Sequence, residues 1–276
     1  MAQAIPITNK QLYPWEIDMW KCLLYSNSGA GKTQFLAEII KQPGMHPAKV
    51  FMFDVIGNDK PYRDIGVPTP YERLPDGGMF CYVNDSAGKL LVEIEYFFDL
   101  RPTLLETSKY PCALERFQSA LLSHVDEEWK GYKFAIIDSY KSYFDCALNA
   151  QQYKLNPRSK SGATQDGKQW YGGARLSTIS DILCTFAWSP LHVCMTAHVD
   201  RERAIEQDKQ LWGVDAPGSM SVDLPRQFPE VYYMNVTDGG ERTLTVNNDG
   251  QYMCKSHIVK ATRIPATWEA IWRKGA

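Results

Sequence analysis

LLYSNSGAGKTQFLAEII, residues 23–40, carries most of a glycine-rich loop signature, G-x-x-x-x-G-K-[ST]: Gly31, Lys32 and Thr33 are in place, and Ser26 stands where the first glycine is written. The run before it, WKCLLY (20–25), is apolar, and beyond it Phe35, Leu36, Ile39 and Ile40 recur at helical spacing until QPG ends the pattern. Strand, loop and helix in that order are the setting such a loop needs. Its backbone N–H groups must turn inward around phosphate oxygens, which calls for small residues, and the following helix points its positive end at the same anion. Gly29 and Gly31 supply that conformational freedom, and Ser26 is compatible if its backbone φ stays negative. Ser26, Asn27, Ser28, Gly29, Ala30, Gly31, Lys32, Thr33 and Gln34 are therefore expected to wrap the phosphates of ATP. Lys32 would act as a point charge on the β- and γ-phosphates, and the Thr33 hydroxyl would join the shell of a Mg²⁺ ion.

Working outward, KVFMFDV (49–55), KFAIID (133–138) and LHVCMTAH (191–198) are short apolar runs of the kind found in parallel strands covered on both faces, and MFCYV (79–83) is a further strand candidate. Helical patterns are expected at about 88–98, 113–129, over YKSYFDCALNAQQY from residue 140, and at about 173–188. Residues 57–78 and 154–172 are polar, irregular connections. Near the end, EVYYMNV, ERTLTVN and QYMCKSH suggest short antiparallel strands, with NNDG (247–250) as the hairpin turn between the last two. The expected fold is α/β, with a mostly parallel central sheet flanked by helices and a C-terminal antiparallel hairpin. Residues 20–260 would form the main domain, 1–19 an N-terminal extension and 261–276 a tail.

Composition narrows the class. With 44% apolar residues in 276 the chain can build a large core, and a net charge of -2 gives no global polycationic signature, so nucleic-acid binding must come from a local patch. None of the seven cysteines forms a C-x-x-C pair, which favours buried reduced thiols over disulfides or zinc. No apolar stretch reaches about 18 residues, and the N-terminus lacks a charged start followed by an apolar run, so a cytoplasmic protein without membrane insertion is expected.

A phosphate loop needs a second acidic group for magnesium at the end of a neighbouring strand, and Asp138 in FAIIDSY fits. Asp54 in VFMFDV holds a similar strand-end position and could orient water or a ribose. The series SNSGAGKT, KVFMFD, FAIIDS and HVCMTAH resembles the RecA-like P-loop ATPases. Within them it is most similar to phage-encoded single-strand annealing ATPases of the Sak type and the AAA-like phage nucleotide-binding proteins grouped with them. QDGKQWYGGARL and the C-terminal strands extend the likeness over roughly residues 20–260.

The resemblance implies a catalytic set of Lys32, Asp138, Asp54 and His198, the last as the polar sensor of the γ-phosphate. It also implies a carboxylate two residues beyond Asp54, where this chain has Ile56, so water activation would fall to Asp54, to Asp59 or to no efficient group. Loops after the third and fourth strands would face single-stranded DNA. The first offers Lys154, Arg158, Lys160, Lys168 and Arg175 with Trp170 and Tyr171 interleaved, a pattern in which cations track phosphates and rings stack on bases. Relatives of this kind assemble with ATP sites at subunit interfaces and act beside a single-strand DNA-binding protein. Lys255, Arg242 or Arg263 could reach across such an interface. The alternatives are an NTPase working on a protein partner in assembly, packaging or loading, and a small-molecule kinase.

Overall fold

The computed structural model describes residues 19–53, 57–74, 78–97, 113–123, 129–155, 167–187, 189–200, 212–237 and 239–272. Its centre is a parallel sheet. β1 (Lys21–Ser26) lies between β10 (Glu230–Val236) and β8 (His192–Asp200); beyond β8 come β7 (Phe134–Asp138), β2 (Ala48–Met52) and β6 (Leu90–Tyr96), all running the same way. Antiparallel strands finish both edges. On one side β11 (Arg242–Thr245) and β12 (Arg263–Pro265) follow β10; on the other, β5 (Met79–Asn84) carries β3 (Val67–Pro68) and β4 (Glu72–Arg73). The two-residue β9 (Gly213–Val214) pairs with the overhanging end of β8.

The apolar runs are continuous because each strand feeds two cores at once. Leu23, Tyr25, Phe51, Ile137 and Met195 face one side, where they pack with α3 (Ala113–Ser123), α4 (Tyr140–Leu155), α5 (Gly167–Ala187) and α6 (Met220–Arg226). Their neighbours Cys22, Leu24, Val50, Ile136 and Cys194 face the other side, beneath α1 (Lys32–Ile40), α2 (Lys60–Arg63) and α7 (Trp268–Ile271). A period of two with both faces covered leaves no polar register, as a parallel sheet requires. Cys22, Cys81, Cys146, Cys194 and Cys254 are buried free thiols.

Two local expectations are corrected. Residues 88–98 do not form a helix: Leu90–Tyr96 is strand β6, with Val92, Ile94 and Tyr96 turned into the core. Leu90, Leu91, Ile94 and Phe97 mimic helical spacing, but the alternation Val-Glu-Ile-Glu-Tyr prevails because the edge of β2 has to be paired. Lys49 on β2 then bridges Glu93 at 2.9 Å and Glu95 at 3.5 Å on the opposite face. NNDG likewise makes no hairpin between two strands. Asp249 accepts the N–H groups of Gln251 and Tyr252, which caps a loop, and the backbone pairs by isolated bridges rather than as a strand, Tyr252 with Trp212 and Lys255 with Val231. The buried Glu230 holds that loop, accepting from Ser256 Oγ at 2.5 Å and His257 N at 2.8 Å. The antiparallel ending is instead β10, β11 and β12, so the sheet continues past residue 260.

Candidate functional site

β1 and β7 do not touch; β8 lies between them, and the ends of all three strands surround one cavity of about 430 Å³. Ser28, Gly29, Gly31, Lys32, Thr33 and Gln34 form one wall; Gly57, Asn58 and Pro61 close another, and Asp138, Ser139 and His198 lie across from the loop. Gly29 and Gly31 have φ of 78° and 87°, where a side chain would strain the backbone. Gly31 ends the loop as the N-cap of α1, whose first turn contains no acid and whose first residues, Lys32 and Thr33, line the cavity.

Ser26 is the last residue of β1, fully buried and paired in register with His198. Its strand backbone is why a non-glycine is accepted there. The hydroxyl also anchors the loop lysine. Lys32 Nζ donates to Ser26 Oγ at 2.9 Å and to the Asn27 carbonyl at 3.4 Å, so the ammonium lies inside the loop's own curve. Asn27 Nδ2 in turn donates to Tyr233 Oη at 3.4 Å. Asn27 and Ala30 belong to the loop but do not line the cavity.

Asp138, 4% exposed, collects three hydroxyl groups. Thr33 Oγ1 and Tyr62 Oη donate to Oδ2 at 3.0 Å each, and Thr196 Oγ1 donates to Oδ1 at 2.6 Å. The loop threonine and the strand-end aspartate are thus joined directly, although 105 residues separate them. Burial, reinforced by the Asp138 carboxylate, holds the Tyr62 phenol well above its ordinary pKa, so it remains a donor. The Asp138–Ser139 peptide is cis. Tyr62 and Thr196 were missed from sequence. Thr196 had a faint signal, two residues before His198 on the same strand face, whereas Tyr62 in the irregular stretch after β2 had none.

Asp54 and Ile56 lie outside the described residues. Asp59 is corrected as a candidate for activating water. It is fully buried, accepts from Tyr71 Oη at 2.6 Å and from the Gly57 N–H at 3.0 Å, and lies 4.0 Å from the Arg63 guanidinium. Its carboxylate staples α2 to the loop before it.

Of the suggested DNA-facing residues, the side chains of Lys154, Arg158, Lys160 and Lys168 lie outside the described set. Trp170 is half-buried, with an indole N–H that has no hydrogen-bond partner among the described residues. Tyr171 is 48% exposed and stacks on Phe144, while Arg175 pairs with Asp223 at 2.7 Å. None of these three lines the cavity. Arg263 pairs with Asp249 at 2.9 Å, and Arg242 lies against its own chain's loop, paired with Glu38 at 3.0 Å.

A family model described as an AAA domain matches residues 18–258. Comparison with curated proteins gave no match. Among solved structures, the chain is similar to a prototypical ATPase from the type III secretion system of pathogenic bacteria, at 11% identity and a TM-score of 0.45. The alignment covers 80% of this chain and 53% of that one, so this chain spans about half the length of its structural neighbour.

Proposed function

The chain belongs to the AAA domain family, and from that premise we propose that it binds ATP with Mg²⁺, hydrolyses it slowly, and uses the cycle on single-stranded DNA in annealing or recombination. The hydrogen bond from Thr33 Oγ1 to Asp138 Oδ2 carries the nucleotide half of this reading. A hydroxyl and a carboxylate meeting beside a glycine-rich loop are the oxygen donors a small hard cation takes together with phosphate oxygens. Thr33 and Asp138 would hold Mg²⁺, which when bound supplies the positive charge that offsets the phosphates.

The chain's own groups account for the rest. The loop N–H groups and the α1 N-terminus bind the phosphates; Lys32, already inside the loop, exchanges Ser26 for phosphate oxygens; His198, across from Ser26, senses the γ-phosphate. Hydrolysis adds water to the γ-phosphorus and breaks its bond to the β,γ-bridging oxygen, giving ADP and phosphate. With Asp59 engaged elsewhere and Ile56 at the position where similar ATPases carry a carboxylate, the unaided rate is low.

The DNA half rests on residues 153–175, which hold five basic side chains against the single acid Asp166, together with the exposed ring of Tyr171. α5, which carries Tyr171, is tied to α4 through Asp181 and Tyr143 Oη at 2.7 Å, and α4 starts one residue after Ser139. Strand binding on α5 thus has a short route to the cavity. A second reading, an NTPase acting on a protein partner, draws on Leu176 and Leu183 of α5 and Leu122 of α3, which are 69%, 46% and 60% exposed.

Measuring ATP hydrolysis with and without single-stranded DNA, beside Lys32→Ala, tests the proposal. A low rate stimulated by DNA and abolished in the variant is expected, with strand binding that weakens steeply as salt rises. Absence of strand binding at low salt leaves the protein-partner reading in its place, and hydrolysis that persists in Lys32→Ala refutes the site.

A further inference from the structure

Arg242 opens β11, far from the loop in sequence but beside it in space. β10 runs next to β1 in the same direction, so its C-terminal end lies at the loop end of the sheet, and Arg242, paired with Val236, is the first strand residue on the way back. A methyl group built on Gly31 would sit 3.5 Å from Arg242 Cδ and 3.7 Å from Nη1. The guanidinium therefore lies against the glycine that closes the phosphate loop.

Its two terminal nitrogens differ. Nη2 donates to Glu38 Oε1 at 3.0 Å, an oxygen that also accepts from Gln34 Nε2 at 3.2 Å. Nη1 is buried and has no hydrogen-bond partner among the described residues. A buried donor of a permanently charged group is costly to leave unmade, so its natural complement is an acceptor that arrives with a ligand. The pair with Glu38 is partly exposed, the side chains being 28% and 44% accessible, and such a pair is weak enough to be exchanged. A planar guanidinium offers two parallel donors, the geometry that phosphate oxygens accept best.

We propose that Arg242 is a phosphate ligand supplied from within the same chain, giving its fork to the α- or β-phosphate held by the loop, the part that ADP and ATP share. Glu38 holds the side chain in place until the nucleotide enters. This rests on the nucleotide site proposed above. It differs from a cation reaching in from a neighbouring subunit, because the side chain already lies on its own loop.

Titration of fluorescent ADP and ATP analogues against the full chain tests it, with Arg242→Ala, Arg242→Lys and Glu38→Gln compared to wild type. Arg242→Ala is expected to weaken both nucleotides by about tenfold, with the ratio between them unchanged, as for loss of one charge-assisted contact. Arg242→Lys keeps the charge but loses the fork and recovers only part of the loss, whereas Glu38→Gln binds as tightly as wild type or tighter. Unchanged ADP affinity in Arg242→Ala, or a loss confined to ATP, overturns the proposal. If Arg242→Ala fails to fold, the other two variants decide. Weaker binding in Glu38→Gln means that the pair merely props the loop, which also overturns it. Wild-type protein that binds neither analogue refutes the nucleotide site itself, a separate failure.

Discussion

Replacing Tyr62 with Phe removes one oxygen from the centre of the site and changes little else. The hydroxyl is fully buried and donates to Asp138 Oδ2 at 3.0 Å, the same oxygen that receives Thr33. Hydrogen bonds to charged acceptors contribute about 1.5–3 kcal/mol, and since Asp138 keeps Thr33 and Thr196, the lower end of that range applies, about 1.5 kcal/mol. At about 2–4 °C per kcal/mol for a domain of this size, the melting temperature should fall by about 3–6 °C. The functional consequence is more specific. A less constrained Asp138 no longer fixes the Thr33 hydroxyl, so ADP affinity in Mg²⁺ should drop about three- to tenfold. In EDTA it should not change, because Lys32 and the loop N–H groups are untouched. Thermal unfolding and ADP titration with and without Mg²⁺ measure both arms. A variant that melts like wild type and keeps its Mg²⁺ dependence, or one that loses affinity equally in both buffers, refutes the assignment of Tyr62 as a positioning residue for Asp138.

Thr196→Val, an isosteric change that deletes the donor to Asp138 Oδ1, should cost about 1–2 kcal/mol in denaturant unfolding and, like Tyr62→Phe, act on Mg²⁺-dependent rather than Mg²⁺-free binding. Gly31→Ala forces a side chain to φ 87° and brings it against Arg242; it should destabilise by about 1 kcal/mol or more and lower ADP affinity in EDTA as well as in Mg²⁺. Burial pushes the Asp181 carboxyl up from 3.8 to about 6, against the opposing hydrogen bonds from Tyr143 and Gln118. The folded state therefore binds this proton more tightly than the unfolded chain does. The group's contribution is most favourable below about pH 4 and is lost as pH rises through about 6. Asp181→Asn should accordingly raise stability at pH 7 by about 1–2 kcal/mol and flatten the stability profile between pH 4 and 7, measured by chemical denaturation across that range.

How far the sequence reaches depends on whether a residue's partner is local. The loop could be read because strand, glycines, lysine and helix are consecutive, and Asp138 because an acid closing an apolar run is a pattern of its own. The central strands were legible because burial on both faces leaves uninterrupted apolar runs. β6 was not, since its leucines satisfy helical spacing and only the presence of β2 beside it decides for the strand. Tyr62 and Arg242 carry no local mark. Each owes its place to a contact made across the sheet, with Asp138 in one case and Gly31 in the other, and neither pairing follows from spacing along the chain. Asp59 shows the converse: its position near the site was visible, but its capture by Tyr71 and the Gly57 N–H was not.

β8, lying between β1 and β7, carries a contact to each of them. Thr196 grips Asp138 on one neighbour, and two residues on, His198 stands beside Ser26 on the other, so both sides of the cavity are referenced to a single strand. That strand extends beyond the sheet to pair with β9. The carboxylate on β7 and the start of the loop on β1 therefore share one extended segment as their common reference, which fixes the distance between them.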